Sequence, residues 1–323
     1  MTDTVLPLKG IIPPLVTPLL GRDEIDVDGT RRLIDHVIGG GVHGLFLLGT
    51  SGEAPSLSHK TQQEFIQIAC EQIQGRVPVL VGITDTSMTE SIEFAKFSQS
   101  CGADAVVLAT PYYFPMHQQD LKRYVEEMAA ELPLPFLLYN MPSHTKVSYE
   151  IGTIESLMKI EKFIGVKDSS ANMLYYNKLI DLKSERENFT VLVGPEELMA
   201  QSVLMGGDGG ISGGANLVPS LYVSLYEAAV TEDLREVHRL QHQVLRLSKS
   251  LYEVGAAPTG YLAGIKTALG FTGLCSDRLC EPLYEMPEDR KQLIHQHMSD
   301  LGLFESMGTE GIASQGIGKK SNS

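Results

Sequence analysis

Lys167 ends an apolar run, Phe163-Ile164-Gly165-Val166, and precedes Asp168-Ser169-Ser170. The run reads as a short buried strand, which carries the amine to the rim of a core instead of onto a solvated face. Burial disfavours the charged form of an amine and lowers its pKa. An amine that is neutral part of the time can attack a carbonyl carbon and form a Schiff base. The competing reading is a strand-end lysine that reaches water or pairs with Asp168. Two adjacent hydroxyls, Thr50 and Ser51, sit in the stretch Gly49-Thr50-Ser51-Gly52-Glu53. Flanking glycines let backbone N–H groups turn toward a ligand, and the hydroxyls add donors, a set suited to a small carboxylate. An ordinary turn with a hydroxyl cap is the alternative. Tyr139, in Tyr139-Asn140-Met141-Pro142, offers either a phenol for proton relay or a core tyrosine with its hydroxyl satisfied. Tyr112 and Tyr113 suit a pocket wall or an oligomer contact. Glu196 and Glu197 follow Pro195 in a first helical turn, where carboxylates complement the dipole with or without a ligand.

These groups need a frame that brings distant residues to one place. Short β-rich apolar runs recur at Ile11–Thr17, Gly44–Leu48, Val77–Ile83, Ala105–Ala109, Pro135–Asn140, Phe163–Asp168, Phe189–Gly194 and Gly209–Ser212. Amphipathic helix-length segments separate them. Asp28 is the expected cap of a helix over Gly29–Ile38, and Ser58 of one over His59–Ile73; Thr86–Cys101 and Gln118–Glu131 follow the same pattern. Strand–helix alternation of this length predicts a parallel (β/α)8 TIM barrel spanning residues 1–230. A doubly wound open sheet is the runner-up, weakened because no GxGxxG turn follows the first strand. Residues 231–307 read as a C-terminal helical domain, and the Gly-, Ser- and Lys-rich stretch 308–323 as a disordered tail. In a barrel of this kind the active site lies at the C-terminal strand ends. Thr50-Ser51, Tyr112-Tyr113, Tyr139, Lys167, Glu196 and Ile211 all fall at or just after such ends.

Composition excludes several classes. A net charge of −14 leaves no basic footprint for nucleic acid. The general field also repels an anionic substrate, so local donors must bind it. No apolar run is long enough to cross a bilayer, and Met1-Thr2-Asp3-Thr4 begins no secretory signal. Cys70, Cys101, Cys275 and Cys280 lack metal-site spacing and suit a reducing, cytoplasmic setting.

The motifs GTSGE (49–53), TPYY (110–113), YNMP (139–142), GVKDSS (165–170) and GGISGGAN (209–216), in this order, resemble the dihydrodipicolinate synthase / N-acetylneuraminate lyase family of class I pyruvate-dependent aldolases. The resemblance runs from about Gly10 to Leu301. It implies a TIM barrel with a C-terminal helical domain, a homotetramer built as a dimer of dimers, and no cofactor beyond the Schiff base of pyruvate on Lys167. It further implies that Thr50 and Ser51 bind the pyruvate carboxylate and that Tyr139 shuttles protons. Gly194 and Ile211 match pocket-lining positions, and Tyr113 the tyrosine that reaches a neighbouring subunit's site.

The subfamily stays open. The synthases carry an arginine two residues after the proline of YNxP, where this chain has His144; histidine lacks the always-charged bidentate fork. Glu196 and Glu197 match acidic positions that bind the polyol chain in neuraminate lyases, yet the serine expected after strand eight is Gly213. The leading expectation is an aldolase or lyase acting on pyruvate and an aldehyde of the sugar-acid or sialic-acid type. The alternatives are 4-hydroxy-tetrahydrodipicolinate synthase, using aspartate semialdehyde, and a non-catalytic oxo-acid sensor.

Overall fold

The structure, a computed structural model, describes residues 8–255 and 259–306. The expected tail over 308–323 and the start of the helix expected from Ala257 lie outside the described residues. The strands are β1 (Gly10–Ile11), β2 (Leu19–Gly21), β3 (Glu24–Ile25), β4 (Leu45–Leu47), β5 (Val79–Gly82), β6 (Ala105–Ala109), β7 (Phe136–Asn140), β8 (Phe163–Asp168), β9 (Thr190–Val193) and β10 (Gly209–Gly210). All but β2 and β3 form one eight-stranded sheet in the order β1-β10-β9-β8-β7-β6-β5-β4, every pairing parallel. Chain neighbours are sheet neighbours, and β1 returns beside β10. With helices between the strands and a C-terminal helical region, this is a TIM-barrel-like α/β fold.

The strand expected over Ile11–Thr17 is cut to Gly10–Ile11. Pro13 and Pro14 have no N–H to give a ladder, so the chain beyond Ile11 meets β4 at a single parallel bridge, Pro14 to Phe46. Around it Leu15 N–H donates to the Phe46 carbonyl and Phe46 N–H to the Pro13 carbonyl, both at 2.9 Å. The β2–β3 pair is an antiparallel hairpin that the sequence reading missed. Ser58 caps His59–Ile73 as expected, its side chain accepting the Thr61 N–H. Asp26, not Asp28, caps the first helix: that helix starts at Val27, and the Asp26 carboxylate accepts the Gly29 N–H at 2.8 Å. After β10 come helices Pro219–Val230, Leu234–Tyr252, Gly260–Phe271, Glu288–Asp300 and Leu303–Ser306.

Side-chain alternation along the strands divides the apolar residues in two. Phe46, Leu80, Val107, Leu137, Leu192 and their neighbours fill the inside of the curled sheet. Leu47, Val81, Val106, Leu138 and Val193 pack outward against the helices. In β8 the alternation is interrupted. Phe136 pairs with Phe163 but Leu137 pairs with Gly165, so β8 carries one extra residue. Phe163 faces out and Ile164 in; with strict alternation Lys167 would face the helices. The bulge returns Val166 to the outer core and turns Lys167 inward, because a one-residue slip exchanges the faces of a strand. Only glycine fits at the irregularity: a Cβ on Gly165 would lie 2.2 Å from the Thr190 carbonyl oxygen.

Candidate active site

Lys167 is 3% exposed. Its ammonium lies 3.9 Å from the centroid of the Tyr139 ring and 4.9 Å from that of Phe46. Burial pulls its pKa below the ordinary lysine value, and the neighbouring Tyr139 only partly opposes this. Neither competing reading of the lysine holds. It turns into the inside of the curled sheet and not onto a solvated face, and Asp168 is engaged on the other face of the strand. There the Asp168 carboxylate accepts from Asn140 Nδ2 at 2.9 Å, from the Ser170 hydroxyl at 2.9 Å and from the Ser170 N–H at 3.1 Å.

Tyr139 is paired in register with Lys167 across β7 and β8. Its hydroxyl shares a 3.2 Å hydrogen bond with Thr50 Oγ1. Burial acts to raise the phenol, but the Lys167 charge and hydrogen bonds to Thr50, Ser169 and Lys167 outweigh it and hold the phenol below its ordinary range. Amine and phenol thus both lie below their ordinary ranges, and each acts on the other's pKa. Thr50 and Ser51 follow β4 through a turn in which Gly52 N–H donates to the Gly49 carbonyl and Glu53 N–H to the Thr50 carbonyl.

Thr50, Ser51, Tyr139, Lys167, Gly194 and Ile211 line one cavity of about 300 Å³. Gly194 has no room for a side chain, since a Cβ there would fall 1.9 Å from Ser169 Oγ. A second space of about 270 Å³ shares Thr50, Tyr139 and Met141 with the first and extends to His144 past Phe46, Leu48 and Val107. The two spaces meet at Thr50, Tyr139 and Met141, and the Lys167 amine lines the first of them. Among the described residues, no cluster of three or more His, Cys, Asp or Glu side chains is placed to hold a metal ion.

Three expected site residues sit differently. Glu196 lines the Lys167 cavity but is 3% exposed and tied down: Tyr222 O–H donates to its Oε1 at 2.5 Å and Gly214 N–H to its Oε2 at 2.8 Å. Burial, then the charge of Glu197, push its pKa up to about 7. His144 stands exposed at the rim in a short helix, Pro142–Thr145. Its Nε2 lies 3.3 Å from the Tyr261 hydroxyl and its Nδ1 3.0 Å from the Ser143 hydroxyl. Desolvation and the nearby cations Lys146 and Lys167 lower its pKa. Tyr113 is 74% exposed, packs edge-on to Phe114, and lines neither cavity of this chain.

The sequence reading missed Tyr252 and Tyr261. Both come from the C-terminal helices, line the Lys167 cavity, and meet edge-on with ring centroids 6.3 Å apart. Nothing local marks them, since a tyrosine at the end of an amphipathic helix is ordinarily packing.

The sequence profile of the Dihydrodipicolinate synthetase family matches residues 7–301. The 4-hydroxy-tetrahydrodipicolinate synthase of Methanocaldococcus jannaschii is 34% identical over 299 residues, covering 92% of this chain and 99% of that protein. The structure of dihydrodipicolinate synthase from Bacteroides thetaiotaomicron matches with a TM-score of 0.89 at 48% identity, covering 91% of this chain and 99% of that one. YagE, a prophage protein of E. coli belonging to the dihydrodipicolinic acid synthase family and solved in complex with pyruvate, matches with a TM-score of 0.86 at 31% identity, again over 91% and 99%. With Lys167 buried beside a phenol at the strand ends, and with relatives covered over nearly their whole length, this chain belongs to the dihydrodipicolinate synthetase family and is a lyase of the class I aldolase type.

Proposed function

We propose that the chain makes or cleaves a carbon–carbon bond between pyruvate and an aldehyde through a Schiff base on Lys167. The observation that carries this reading is the amine itself: buried, unpaired with Asp168, and 3.9 Å from the Tyr139 ring centroid. The neutral amine adds to the keto carbon, the carbonyl oxygen departs as water, and an iminium results. In the cleavage direction the bond to the aldehyde carbon breaks, its electrons pass into an enamine, and Tyr139 takes the hydroxyl proton that the leaving aldehyde gives up. Protonation of the enamine and hydrolysis return the amine and release pyruvate. Thr50 and Ser51 hold the carboxylate with neutral donors, as an acidic protein requires. The reaction so written uses no metal or organic cofactor.

For the aldehyde, the cavity walls support a hydroxyl-bearing partner of the sugar-acid type. The two spaces are lined by Glu196, Glu197, Tyr252, Tyr261 and His144, and among their described lining residues the only lysine or arginine is Lys167. A second reading, condensation with aspartate semialdehyde, is favoured by the synthase names of the relatives. We also read the fold as a closed barrel over residues 1–230, joined through the Pro14–Phe46 bridge, with a helical domain over 231–307. The assembly is proposed as a cytoplasmic homotetramer in which the exposed Tyr113 meets a second copy. The free cysteines and the exposed aromatic run Tyr112–Phe114 support this.

Incubation with pyruvate and borohydride should leave a reduced adduct on Lys167, located by peptide mass. Absence of the adduct at saturating pyruvate, with the protein folded, would overturn the mechanism. A panel of hydroxyaldehydes and aspartate semialdehyde, assayed for pyruvate consumption, separates the two substrate readings.

A further inference from the structure

Beneath the Thr50–Ser51 turn lies a buried ion pair that the chemistry above does not use. Glu53 and Lys266 are 2% and 1% exposed, and their side chains are in contact. Glu53 closes the turn in a left-handed conformation, φ 56°, which residues other than glycine adopt uncommonly. Its partners come from the far end of the chain. The other Glu53 oxygen accepts the Cys280 N–H at 2.7 Å, and Lys266 Nζ also donates to the Arg278 carbonyl at 2.7 Å. Thr17 adds a hydroxyl bond to the Gly52 carbonyl at 2.7 Å. One carboxylate therefore fastens the turn to the helix Gly260–Phe271 and to the segment that follows it.

From this geometry we infer that Glu53 and Lys266 are positioning residues through which the C-terminal helical region fixes the Thr50–Ser51 turn, and with it the affinity for the oxo-acid carboxylate. The inference rests on the reading of Thr50 and Ser51 as carboxylate donors. It gives the helical region a part in binding that reaches beyond the cavity wall. Neither residue touches the substrate; they act by where they hold the turn.

The test compares two ketones, pyruvate and acetone, trapped on Lys167 with borohydride. In Glu53→Gln and Lys266→Met the half-saturating pyruvate concentration should rise about tenfold or more, as a displaced binding group predicts. Trapping at saturation should be retained. Acetone has no carboxylate, so its trapping should match that of the unaltered protein. A single variant leaves a buried charge unpaired, so the double variant Glu53→Gln/Lys266→Met, which removes both charges, is measured beside them with the same expectation. Equal weakening toward both ketones, or none toward either in the folded double variant, would overturn the inference. Amide hydrogen exchange over residues 49–53 reads the same point without substrate. It should accelerate in the variants while Phe163–Asp168 stays protected, and unchanged exchange at 49–53 counts against the pair. If the unaltered protein traps no pyruvate, the Schiff-base reading falls, and the exchange result alone decides this inference.

Discussion

Replacing Glu196 by glutamine should remove a loss of stability that the natural chain suffers between pH 4.5 and about 7. Burial, reinforced by the Glu197 charge, lifts this carboxyl from the ordinary 4.5 to about 7, against the pull of the Gly214 N–H and the Tyr222 and Tyr252 hydroxyls. In that window the unfolded chain has released a proton that the folded chain keeps, so stability falls as pH rises. The stabilisation is whole below the unfolded value and gone above the folded one. A gap from 4.5 to about 7, at about 1.4 kcal/mol per pH unit, amounts to about 3 kcal/mol. Glutamine keeps the shape: its oxygen can accept the Gly214 N–H while its NH2 donates to the Tyr222 oxygen. Urea unfolding from pH 4.5 to 8 reads the difference. The stability of Glu196→Gln relative to the natural chain should improve by about 3 kcal/mol across the range. Parallel pH curves would refute the reasoning, because they would mean that Glu196 is ionised in the fold throughout. The result also bears on substrate choice, since a carboxyl that holds its proton near neutrality can donate to an aldehyde hydroxyl as well as accept from one.

Three further outcomes follow from the same geometry. Tyr139→Phe removes the proton carrier and should lower turnover by about 10²–10⁴-fold; because Tyr139 raises the Lys167 pKa, the pH at which borohydride trapping reaches half its maximum should move down, and an upward move would contradict the pairing. Lys167→Met should abolish trapping and raise the melting temperature. The folded lysine titrates below its ordinary 10.5, so the gain should be largest below the folded pKa and shrink as pH rises toward 10.5, where the unfolded lysine is also neutral; a gain that grows with pH would be inconsistent. His144→Arg places a permanent cation at the rim, and a charge-assisted bond of about 1.5–3 kcal/mol should shift kcat/KM toward aspartate semialdehyde by about 10–100-fold over a hydroxyaldehyde. An unchanged ranking in direct competition would remove this position from specificity.

Placement was legible where a buried strand stops at a reactive side chain, as at Tyr139 and Lys167. It was also legible where one side chain caps one helix, as at Ser58. Those signals are local. Pro13 and Pro14 were visible breakers inside an apolar run, and the run outweighed them wrongly, since apolar character does not supply a missing N–H. Asp28 was the expected cap of the first helix, and the helix start at Val27 gives that place to Asp26. The Gly165 bulge cannot be read locally, because the backbone that demands it belongs to Thr190 on the next strand. Glu196 read as a first-turn carboxylate that complements the helix dipole with or without a ligand, and its tie to Tyr222 depends on the later helix Pro219–Val230. Tyr252 and Tyr261 reach the cavity through tertiary folding alone.

The bulge also explains how an amine and a carboxylate adjacent in sequence avoid neutralising each other. Strand alternation gives consecutive residues opposite faces, so whichever way Lys167 points, Asp168 points the other. Turned inward, the lysine lies against the Phe46 and Tyr139 rings and loses solvation, and its pKa falls accordingly. Turned outward, Asp168 bonds Asn140, its register partner on β7, just as Lys167 faces Tyr139 from the residue before. Adjacent residue pairs on two neighbouring strands thus divide the labour. The inner pair sets amine against phenol at the cavity, and the outer pair bonds the two strand ends to each other. Without the extra residue in β8 the pairs would exchange faces on one strand only. The carboxylate would then enter the cavity beside Tyr139, where its charge would raise the phenol pKa and leave no nucleophile.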